Sequence, residues 1–296
     1  MPDGGGEFIF NKIAIVGVGL IGGSLGMAAK RRGIAKHVIG IGRSEQKLMR
    51  AKILGAIDDY SLDLTNGASE ADFLIISTPV CLIVPTLERM ADSLKEGVII
   101  TDAGSTKSEI VEQASDVLPD GRYFVGGHPM AGSEQTGVDA AYPDLFLGAT
   151  YVLTPTLGTD LTALGKMTSF AEAIGARVEV MSPEEHDEAV AVISHLPHAI
   201  SSALMQLAEL SQRRTGQTFR LTAGSFRDLT RISDSSPELW RDICLTNAES
   251  LASAISDLTD LLLGFSAALE KRDSDAIERY FEQARQIRET YLRIAK

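Results

Sequence analysis

The sequence has few cysteines and fewer basic than acidic residues, and both shortages exclude classes of function. Among 296 residues only Cys81 and Cys244 are cysteine, and no His/Cys cluster has the spacing of a zinc site. We therefore predict buried, reduced thiols, no metal and a cytoplasmic location. The net charge of −12 argues against nucleic acid or an anionic membrane as a partner. An anionic ligand then has to be held by locally placed donors.

The N-terminal part lacks the pattern of a targeting or membrane-spanning segment. It begins MPDGGGEF, with no basic region followed by an apolar run, so we predict no signal peptide and a flexible tail over 1–7. The uncharged stretch 13–29 is interrupted by five glycines. Such a stretch is typical of a strand, a turn and a helix start rather than of a membrane span.

Short apolar runs alternate with helical segments over the first part of the chain. Strands are predicted at 12–17, 37–41, 72–77, 97–103, 123–127, 149–155 and 176–181. Helices are predicted at 44–54, 82–94, 107–117 and about 160–174. Nearly continuous apolar strands that alternate with helices predict an α/β fold, with a doubly wound, mainly parallel sheet covered on both faces.

The pattern changes after Met181. A serine N-cap, a proline at the first helical position and a glutamate at the capping-box position begin a helix at Ser182-Pro183-Glu184-Glu185. No convincing strand follows, so we predict a domain boundary at 181/182 and an all-helical domain over 182–296. The apolar helix faces exceed what this domain needs for its own core, which favours burial of some of them in a homodimer.

A glycine-rich turn, Gly17-Val18-Gly19-Leu20-Ile21-Gly22, follows the first predicted strand and opens the first helix. In this context Gly17 permits a tight turn, Gly19 lets backbone amides approach a pyrophosphate, and Gly22 allows close helix–strand packing. The free N–H groups and the dipole of the helix N-terminus favour the negative charge. The whole hexapeptide therefore predicts a dinucleotide site. The alternative is a glycine turn without a ligand.

The end of the second strand bears on which dinucleotide is bound. NAD sites usually place Asp or Glu about 20 residues beyond the motif, but the stretch here is Gly40-Ile41-Gly42-Arg43-Ser44. Arg43 and Ser44 suit a 2′-phosphate, so NADP is favoured over NAD. In the alternative, Arg43 lies over the adenine and the site accepts NAD. Residues directly after the strand at 72–77 complete the predicted cofactor site: Ser77, Thr78 and Pro79.

His128 stands in the stretch GGHPMAGSE, which we interpret as a rigid Gly/Pro loop after the strand at 123–127. Open α/β sheets bind ligands at this edge, so His128 is predicted to be a general base; the alternative is a structural histidine. Ser105, in DAGSTK, emerges at the same edge. Thr106 and Glu109 predict a capping box, which leaves Ser105 free to face the cleft. The alternative is that the whole turn is only a helix cap.

Two further groups of polar side chains lie in the helical half. Pro197 is expected to kink its helix, and His195 and His198, three residues apart, share a helix face. The stretch Arg227-Asp228-Leu229-Thr230-Arg231 puts two arginines near an aspartate. A guanidinium group suits a carboxylate bidentately. The alternative for either arginine is a surface ion network.

Taken together, six motifs resemble the prephenate/arogenate dehydrogenase family of tyrosine biosynthesis. In order they are VGVGLIGGS, DAGSTK, GGHPMAGSE, SPEEHD, SHLPH and FRDLTRIS–PELWRDI, and they span 13 to about 243. The resemblance implies a Rossmann-type dinucleotide-binding domain, here 1–181, and an all-helical substrate and dimerisation domain, here 182–296. It implies oxidative decarboxylation of prephenate or arogenate, with hydride transfer to NAD or NADP. The pair Gly42-Arg43 departs from NAD-specific members, which carry an acid.

The same resemblance implies roles for individual residues. His128 matches the catalytic histidine that hydrogen-bonds the C4 hydroxyl of the substrate ring, and Ser105 matches a serine that assists it. Arg231 matches the arginine that binds a substrate carboxylate. His198 matches a histidine of the substrate pocket, and His195 lies in the same motif. Glu134 and Asp228, together with Arg231, resemble a polar network at the pocket entrance.

Two other functions fit parts of the pattern. A dehydrogenase of the 6-phosphogluconate/β-hydroxyacid type also joins a dinucleotide-binding domain to helices. Such enzymes typically use a lysine on the first helix of the second domain, whereas no lysine lies between Lys166 and Lys271. A non-catalytic NADP-sensing protein has no reason to combine Ser105, His128 and Arg231 at one cleft edge.

Overall fold

The computed structural model describes residues 8–132 and 135–294, which form two compact units that divide at 247/248. The flexible tail predicted for 1–7 lies outside the described residues. The domain boundary that we predict at 181/182 stays a prediction.

The first unit is built on one eight-stranded sheet. Its strands are β1 (Phe10–Val16), β2 (Ala35–Ile41), β3 (Asp59–Ser61), β4 (Phe73–Ile76), β5 (Ile99–Asp102), β6 (Tyr123–Pro129), β7 (Thr150–Thr154) and β8 (Arg177–Val180). Their spatial order is β3-β2-β1-β4-β5-β6-β7-β8. Neighbouring strands are parallel except for β6 and β7, which are antiparallel. The predicted doubly wound, mainly parallel sheet is confirmed.

Two strands differ from the sequence prediction. The sequence does not predict β3, because its three residues are polar or partly exposed and no apolar run marks them. In addition, β6 continues beyond the predicted end at 127, since His128 pairs with Val152 and Pro129 pairs with Tyr151 of β7. The loop predicted around His128 is therefore wrong at that residue. His128 is the second-last residue of β6 and pairs with the antiparallel strand β7.

Helices cover both faces of this sheet. The α-helices of the first unit are α1 (Leu20–Arg31), α2 (Glu45–Ile53), α3 (Leu64–Ala68), α4 (Ile83–Met90), α5 (Ser108–Val117), α6 (Leu161–Ala173), α7 (Pro183–Val190), α8 (Leu196–Thr215), α9 (Gly224–Thr230) and α10 (Pro237–Thr246). One apolar cluster includes Phe10 stacked on Phe73 at 4.5 Å between ring centroids, with Phe170 edge-on. A second cluster, on the other face, includes Leu74 and Leu87.

The segment 183–215 is one long helical stretch with a wider turn inside it. Ser182 and Glu185 form the predicted capping box at its start. The turn Ala191–His195 is π-helical and passes directly into α8. Pro197 lacks an N–H group and its ring excludes the carbonyl four residues earlier, so a regular α-turn is unfavourable there. The predicted disturbance at Pro197 thus takes the form of a wider, π-helical turn just before the proline.

The start of α5 differs from the predicted capping box. Thr106 does not cap the helix; its hydroxyl donates instead to the hydroxyl of Thr246 at 3.0 Å. The carboxylate of Asp187 accepts the first backbone amides, from Lys107 at 2.7 Å and Ser108 at 2.8 Å. A side chain 80 positions away in sequence therefore satisfies donors that local residues were expected to satisfy.

The second unit is a pair of helices, α11 (Ala248–Glu270) and α12 (Ser274–Ile294). Phe265 stacks on Tyr280 with ring centroids 4.6 Å apart, and Phe281 meets Phe265 edge-on. Leucines of α11 are exposed to solvent in the single chain: Leu261, Leu262, Leu263 and Leu269. An exposed apolar patch of this kind is typical of a protein–protein interface.

By length and composition alone, two helical stretches are apolar enough to cross a membrane, Pro183–Thr215 and Ala248–Lys271. This is weak support for a membrane span, because core helices of soluble proteins pass the same test. The first stretch also includes buried histidine and aspartate side chains, at His186, Asp187 and His195, which are costly in lipid. The expectation that no membrane is a partner stays a prediction.

Candidate functional site

The glycine turn after β1 is fixed by backbone contacts. Gly17 has φ +89°, and a Cβ there would lie 2.4 Å from the carbonyl oxygen of Ser77. A Cβ on Gly22 would lie 2.2 Å from the carbonyl oxygen of Gly17. Both positions therefore need glycine for the close approach of β1, α1 and the end of β4.

The N-terminus of α1 is left open for a ligand. Gly19 is its N-cap, no side chain caps the helix, and the first turn has no acidic residue. A Cβ on Gly19 would meet no described atom within 4 Å, so no protein contact explains a glycine at that position. The hydroxyl of Thr78 is buried and has no hydrogen-bond partner in the described part of the chain. The uncapped N-terminus of α1, the open space at Gly19 and the Thr78 hydroxyl form a site, the pyrophosphate cradle, that fits the pyrophosphate of a dinucleotide. The other predicted cofactor residues flank this cradle: Leu20, Ile21, Ser77 and Pro79.

The end of β2 carries an unpaired positive charge. Arg43 is exposed, and no hydrogen bond or ion pair is found for it within the described residues. Ser44 is the N-cap of α2, where its hydroxyl oxygen accepts from the amide of Lys47 at 3.4 Å. That hydroxyl keeps its own proton for donation to a ligand. Asp or Glu does not occur in this turn, where a site for the ribose hydroxyls would place one.

His128 belongs to a chain of three side chains that leads into the protein. Its Nδ1 lies 2.8 Å from Nε2 of His186, and Nδ1 of His186 lies 2.8 Å from Oδ1 of Asp187. His186 and Asp187 are 1% and 3% exposed, whereas His128 is half-buried. His128 is therefore the member of this chain that a ligand reaches.

The environment of His128 disfavours its protonated form. Burial of the imidazole holds its pKa well below the ordinary value, and the nearby rings of His186 and His195 and the ammonium of Lys107 lower it further. At neutral pH the ring is therefore uncharged. An uncharged imidazole is the form that accepts a proton in general base catalysis.

A buried ion pair lies beneath this end of β6. Lys107 and Asp102 are both 0% exposed, and the ammonium of Lys107 contacts Oδ2 of Asp102. The same carboxylate accepts from the amides of Gly104 at 2.8 Å and Gly127 at 3.1 Å. Burial lowers the pKa of Lys107, and the attraction of Asp102 opposes that shift. Asp102, the last residue of β5, is thereby hydrogen-bonded to Gly127, the residue that precedes His128.

Two more histidines and a tryptophan follow the π-turn. The ring of His198 stacks on Trp240 with centroids 3.6 Å apart, and His195 meets the same indole edge-on at 6.0 Å. His195 is buried, with its Nδ1 at 3.2 Å from the side-chain nitrogen of Asn247. Trp240 Nε1 is buried and has no hydrogen-bond partner among residues 8–132 and 135–294. The two histidines thus share one face, as their spacing predicts.

The remaining predicted site residues are less constrained. Ser105 is half-buried, with no hydrogen bond in the described part of the chain. Asp228 and Arg231 are exposed and make no ion pair with each other. Glu134 lies outside the described residues. The predicted entrance network of these last three residues stays a prediction.

Four residues that surround the predicted histidines were not predicted from the sequence: His186, Asp187, Trp240 and Asn247. Three of them lie inside quoted motifs or directly beside one, but their spacing to His128 gives no sign of contact. Contact between His128 and His186 joins residues 58 positions apart. The adjacent pair His186-Asp187, one turn beyond a strong helix start, is the signal that was present in the sequence.

The prediction of buried thiols is wrong for Cys81. Both cysteines are free, but Cys81 is exposed and Cys244 is half-buried. The thiol of Cys81 donates to Oδ2 of Asp242 at 3.0 Å, and that carboxylate also pairs with Arg241. Cys81 lies in the short turn directly before α4, where apolar neighbours in the sequence do not ensure burial of the side chain.

Two family models match the chain. The first is described as prephenate dehydrogenase, nucleotide-binding domain, and matches residues 25–180. The second is described as prephenate dehydrogenase, dimerization domain, and matches residues 182–283. Together they account for most of the described residues.

Related proteins and solved structures agree with these models. The chain is 40% identical over 278 residues to the prephenate dehydrogenase of Bacillus subtilis, which covers 94% of this chain and 75% of that protein. It is 34% identical over 281 residues to the cyclohexadienyl dehydrogenase of Zymomonas mobilis, and the match covers 95% of this chain and 96% of that protein. The fold is similar to that of prephenate dehydrogenase from A. aeolicus in complex with hydroxyphenyl propionate and NAD+, with TM-score 0.89, 32% identity and coverage of 95% and 98%. Arogenate dehydrogenase from Synechocystis gives TM-score 0.84, 34% identity and coverage of 95% and 99%.

Proposed function

The chain belongs to the prephenate dehydrogenase family and catalyses an NAD(P)-linked oxidative decarboxylation in tyrosine biosynthesis, and from this premise we propose that His128 is its general base. One observation carries the assignment. His128 is the half-buried end of a buried hydrogen-bonded chain, at the carboxyl edge of the sheet where such folds bind ligands. Its lowered pKa keeps the imidazole unprotonated at neutral pH, which is the form that accepts a proton.

The proposed mechanism divides the work between the cofactor and this chain. The chemistry supplied by a bound nicotinamide is acceptance of hydride from ring carbon C4, which accompanies loss of the ring carboxylate as carbon dioxide and aromatisation. His128 takes the proton of the C4 hydroxyl, so that the developing carbonyl draws electrons from the departing carboxylate. The hydroxyl of Ser105, which has no other partner in the described chain, donates to or accepts from the same oxygen.

Positive charge for the substrate comes from the α9 region. We assign Arg231 to a substrate carboxylate because its guanidinium is exposed and lacks an ion pair within the described residues, in a chain whose net charge is −12. The proposal extends the pocket to His195 and His198, and to Asp228 and Glu134 at its entrance. Trp240, stacked on His198, provides an apolar wall.

Replacing Arg231 with alanine is expected to raise the KM of the substrate about 10- to 100-fold, since a charge-assisted hydrogen bond contributes about 1.5–3 kcal/mol. The effect on kcat is expected to stay within about threefold, because the carboxylate is bound equally in ground and transition states. Steady-state kinetics measure both constants. Arg227→Ala, which changes a neighbouring exposed arginine on α9, is the matched control. Equal KM values for the two variants would overturn the assignment of Arg231.

The cofactor preference is the second part of the proposal. We assign NADP as the preferred cofactor, because Arg43 is exposed, and has no ion pair with any described residue, where Asp or Glu would bind the ribose of NAD. Ser44, free to donate its hydroxyl proton, complements a 2′-phosphate. No metal enters the proposed chemistry.

Replacing Arg43 with alanine is expected to raise the KM of NADP by about tenfold or more and to leave the KM of NAD within about twofold. The reason is that only NADP carries the phosphate that the guanidinium would bind. The measurement is the ratio of kcat/KM for the two cofactors. Arg50→Ala on α2, where the side chain already pairs with Asp139, serves as the control. A parallel loss for NAD and NADP would mean that Arg43 lies over the adenine instead.

We also propose a cytoplasmic homodimer assembled through the helical region. The support is the dimerization-domain model over 182–283 together with exposed leucines on α8 and α11, such as Leu207, Leu210 and Leu262. Light scattering of the purified protein tests this assembly. A monomer at micromolar concentration would contradict it.

One assay tests the reaction itself. The absorbance of reduced nicotinamide is followed with prephenate and with arogenate, each in the presence of NAD and of NADP. Turnover with at least one of these substrates, with aromatic product formed in equal amount, supports the function. Reduction of cofactor with a 6-phosphogluconate or β-hydroxyacid substrate alone would favour the first alternative. Tight NADP binding without any turnover would favour the sensing protein.

A further inference from the structure

We propose that His186, held by Asp187, is a positioning residue that keeps the ring proton of His128 on Nδ1 and so leaves Nε2 as the proton acceptor. The inference rests on the proposed role of His128 as the base. A neutral imidazole carries its proton on either nitrogen, and only the bare nitrogen acts as a base. The hydrogen-bonded chain behind His128 decides between the two forms.

Asp187 forms the inner end of this hydrogen-bonded chain, and its ionised carboxylate only accepts hydrogen bonds. Its two oxygens accept from the amides of Lys107 and Ser108, at 2.7 and 2.8 Å. Burial raises the pKa of Asp187, but the hydrogen bonds from His186 and from these amides outweigh burial and leave the pKa lowered. The carboxyl group is therefore ionised at neutral pH.

An ionised carboxylate fixes the proton of His186. Nδ1 of that ring lies 2.8 Å from Oδ1 of Asp187, so Nδ1 carries the proton and donates it. In this proposal the ring carries a single proton, so that with Nδ1 protonated its Nε2 is bare. His186 is 1% exposed, and its Nε2 faces Nδ1 of His128 at 2.8 Å. Because an acceptor requires a donor, the proton of His128 stands on Nδ1, and its Nε2 is free for the substrate.

A neighbouring histidine is fixed in the opposite form. The side-chain nitrogen of Asn247 donates to the backbone carbonyl of Asp187 at 2.8 Å, and a carbonyl only accepts, so the amide orientation of Asn247 is determined. The same nitrogen lies 3.2 Å from Nδ1 of His195. Nδ1 of His195 is therefore the acceptor, and its proton stands on Nε2. The site thus contains His128 and His195 with opposite tautomers.

This difference gives a direct spectroscopic test in the intact protein. Nitrogen NMR of the full-length chain with labelled histidine distinguishes a bare ring nitrogen from a protonated one. The chain has five histidines, so each signal is assigned by single replacement. We expect Nδ1–H forms for His128 and His186 and the Nε2–H form for His195 at neutral pH. An Nε2–H form of His128 in the wild-type protein would overturn the proposal, whatever the enzyme's activity.

Kinetics of a matched pair of variants test the consequence for catalysis. Glutamine places its amide where Nε2 of histidine lies, and asparagine reaches only the position of Nδ1. His186→Gln keeps an acceptor for His128 and is expected to retain kcat within about tenfold. His186→Asn keeps a partner for Asp187 but none for His128, and is expected to lower kcat about 100-fold or more, as misplaced tautomers do in other enzymes. The KM values of substrate and cofactor are expected to change by less than about threefold in both.

The outcomes separate this role from a merely structural one. Equal losses of kcat in the Gln and Asn variants, or losses confined to KM, would overturn the positioning role. In His186→Asn, the NMR signals of His128 are expected to show a mixture of tautomers, while those of His195 stay unchanged. If His128→Asn itself keeps normal turnover, His128 is not the base. That failure is distinguishable from a failure of the positioning role, because NMR measures the tautomer of His128 independently of turnover.

Discussion

Replacing His128 with asparagine is expected to lower kcat by about 10²- to 10⁴-fold, the range that a general base contributes. Asparagine retains a hydrogen-bonding side chain at the strand edge but has no nitrogen that accepts a proton at neutral pH. The cofactor cradle at Gly17, Gly19 and Gly22 lies on a different loop, so the Kd of the cofactor is expected to stay within about twofold. Rapid-quench or steady-state assays give kcat, and fluorescence titration gives the Kd.

A histidine outside the site provides the control for this substitution. His37 lies on β2, its side chain is 44% exposed, and it faces Asp58 rather than the ligand edge. His37→Asn is expected to leave kcat and the cofactor Kd unchanged within about twofold. Near-normal turnover of His128→Asn would exclude His128 as the base.

Replacing Asp102 with asparagine is expected to lower the free energy of unfolding by about 3–5 kcal/mol, because it removes the carboxylate that contacts the buried ammonium of Lys107. Both side chains are 0% exposed, so water does not solvate the remaining charge. Asp102 also accepts from the amides of Gly104 and Gly127, and an amide side chain offers only one oxygen for them. Urea unfolding followed by tryptophan fluorescence and circular dichroism measures the loss.

Two further variants make this expectation sharp. Asp139→Asn removes one partner of the half-exposed pair with Arg50, and is expected to cost less than about 1 kcal/mol because solvent screens surface ion pairs. Adding Lys107→Met to Asp102→Asn removes the unpaired charge and is expected to recover part of the loss. If Asp102→Asn costs no more than Asp139→Asn, then Lys107 is uncharged in the folded protein and the buried pair contributes little.

The amino-acid sequence by itself determined the main strands, the glycine turn and the position of His128 near a ligand edge. These features follow from local rules. Buried parallel strands are short apolar runs, and a pyrophosphate turn needs glycine at fixed positions, where Gly17 and Gly22 indeed meet backbone atoms within 2.4 Å of a Cβ. The order of six motifs also sufficed to predict the family that the comparisons show.

The tertiary structure alone decided which groups touch. It placed His186 against His128 and put Asp187 at the start of α5, in the role expected of Thr106, although these partners lie 58 and about 80 residues apart. It also extended β6 through His128, because an antiparallel neighbour pairs there. Periodicity and capping rules report burial and local hydrogen bonds, whereas the partner of a buried donor depends on how distant elements pack. The position of the base was therefore readable from the sequence, but the side chain that sets its tautomer was not.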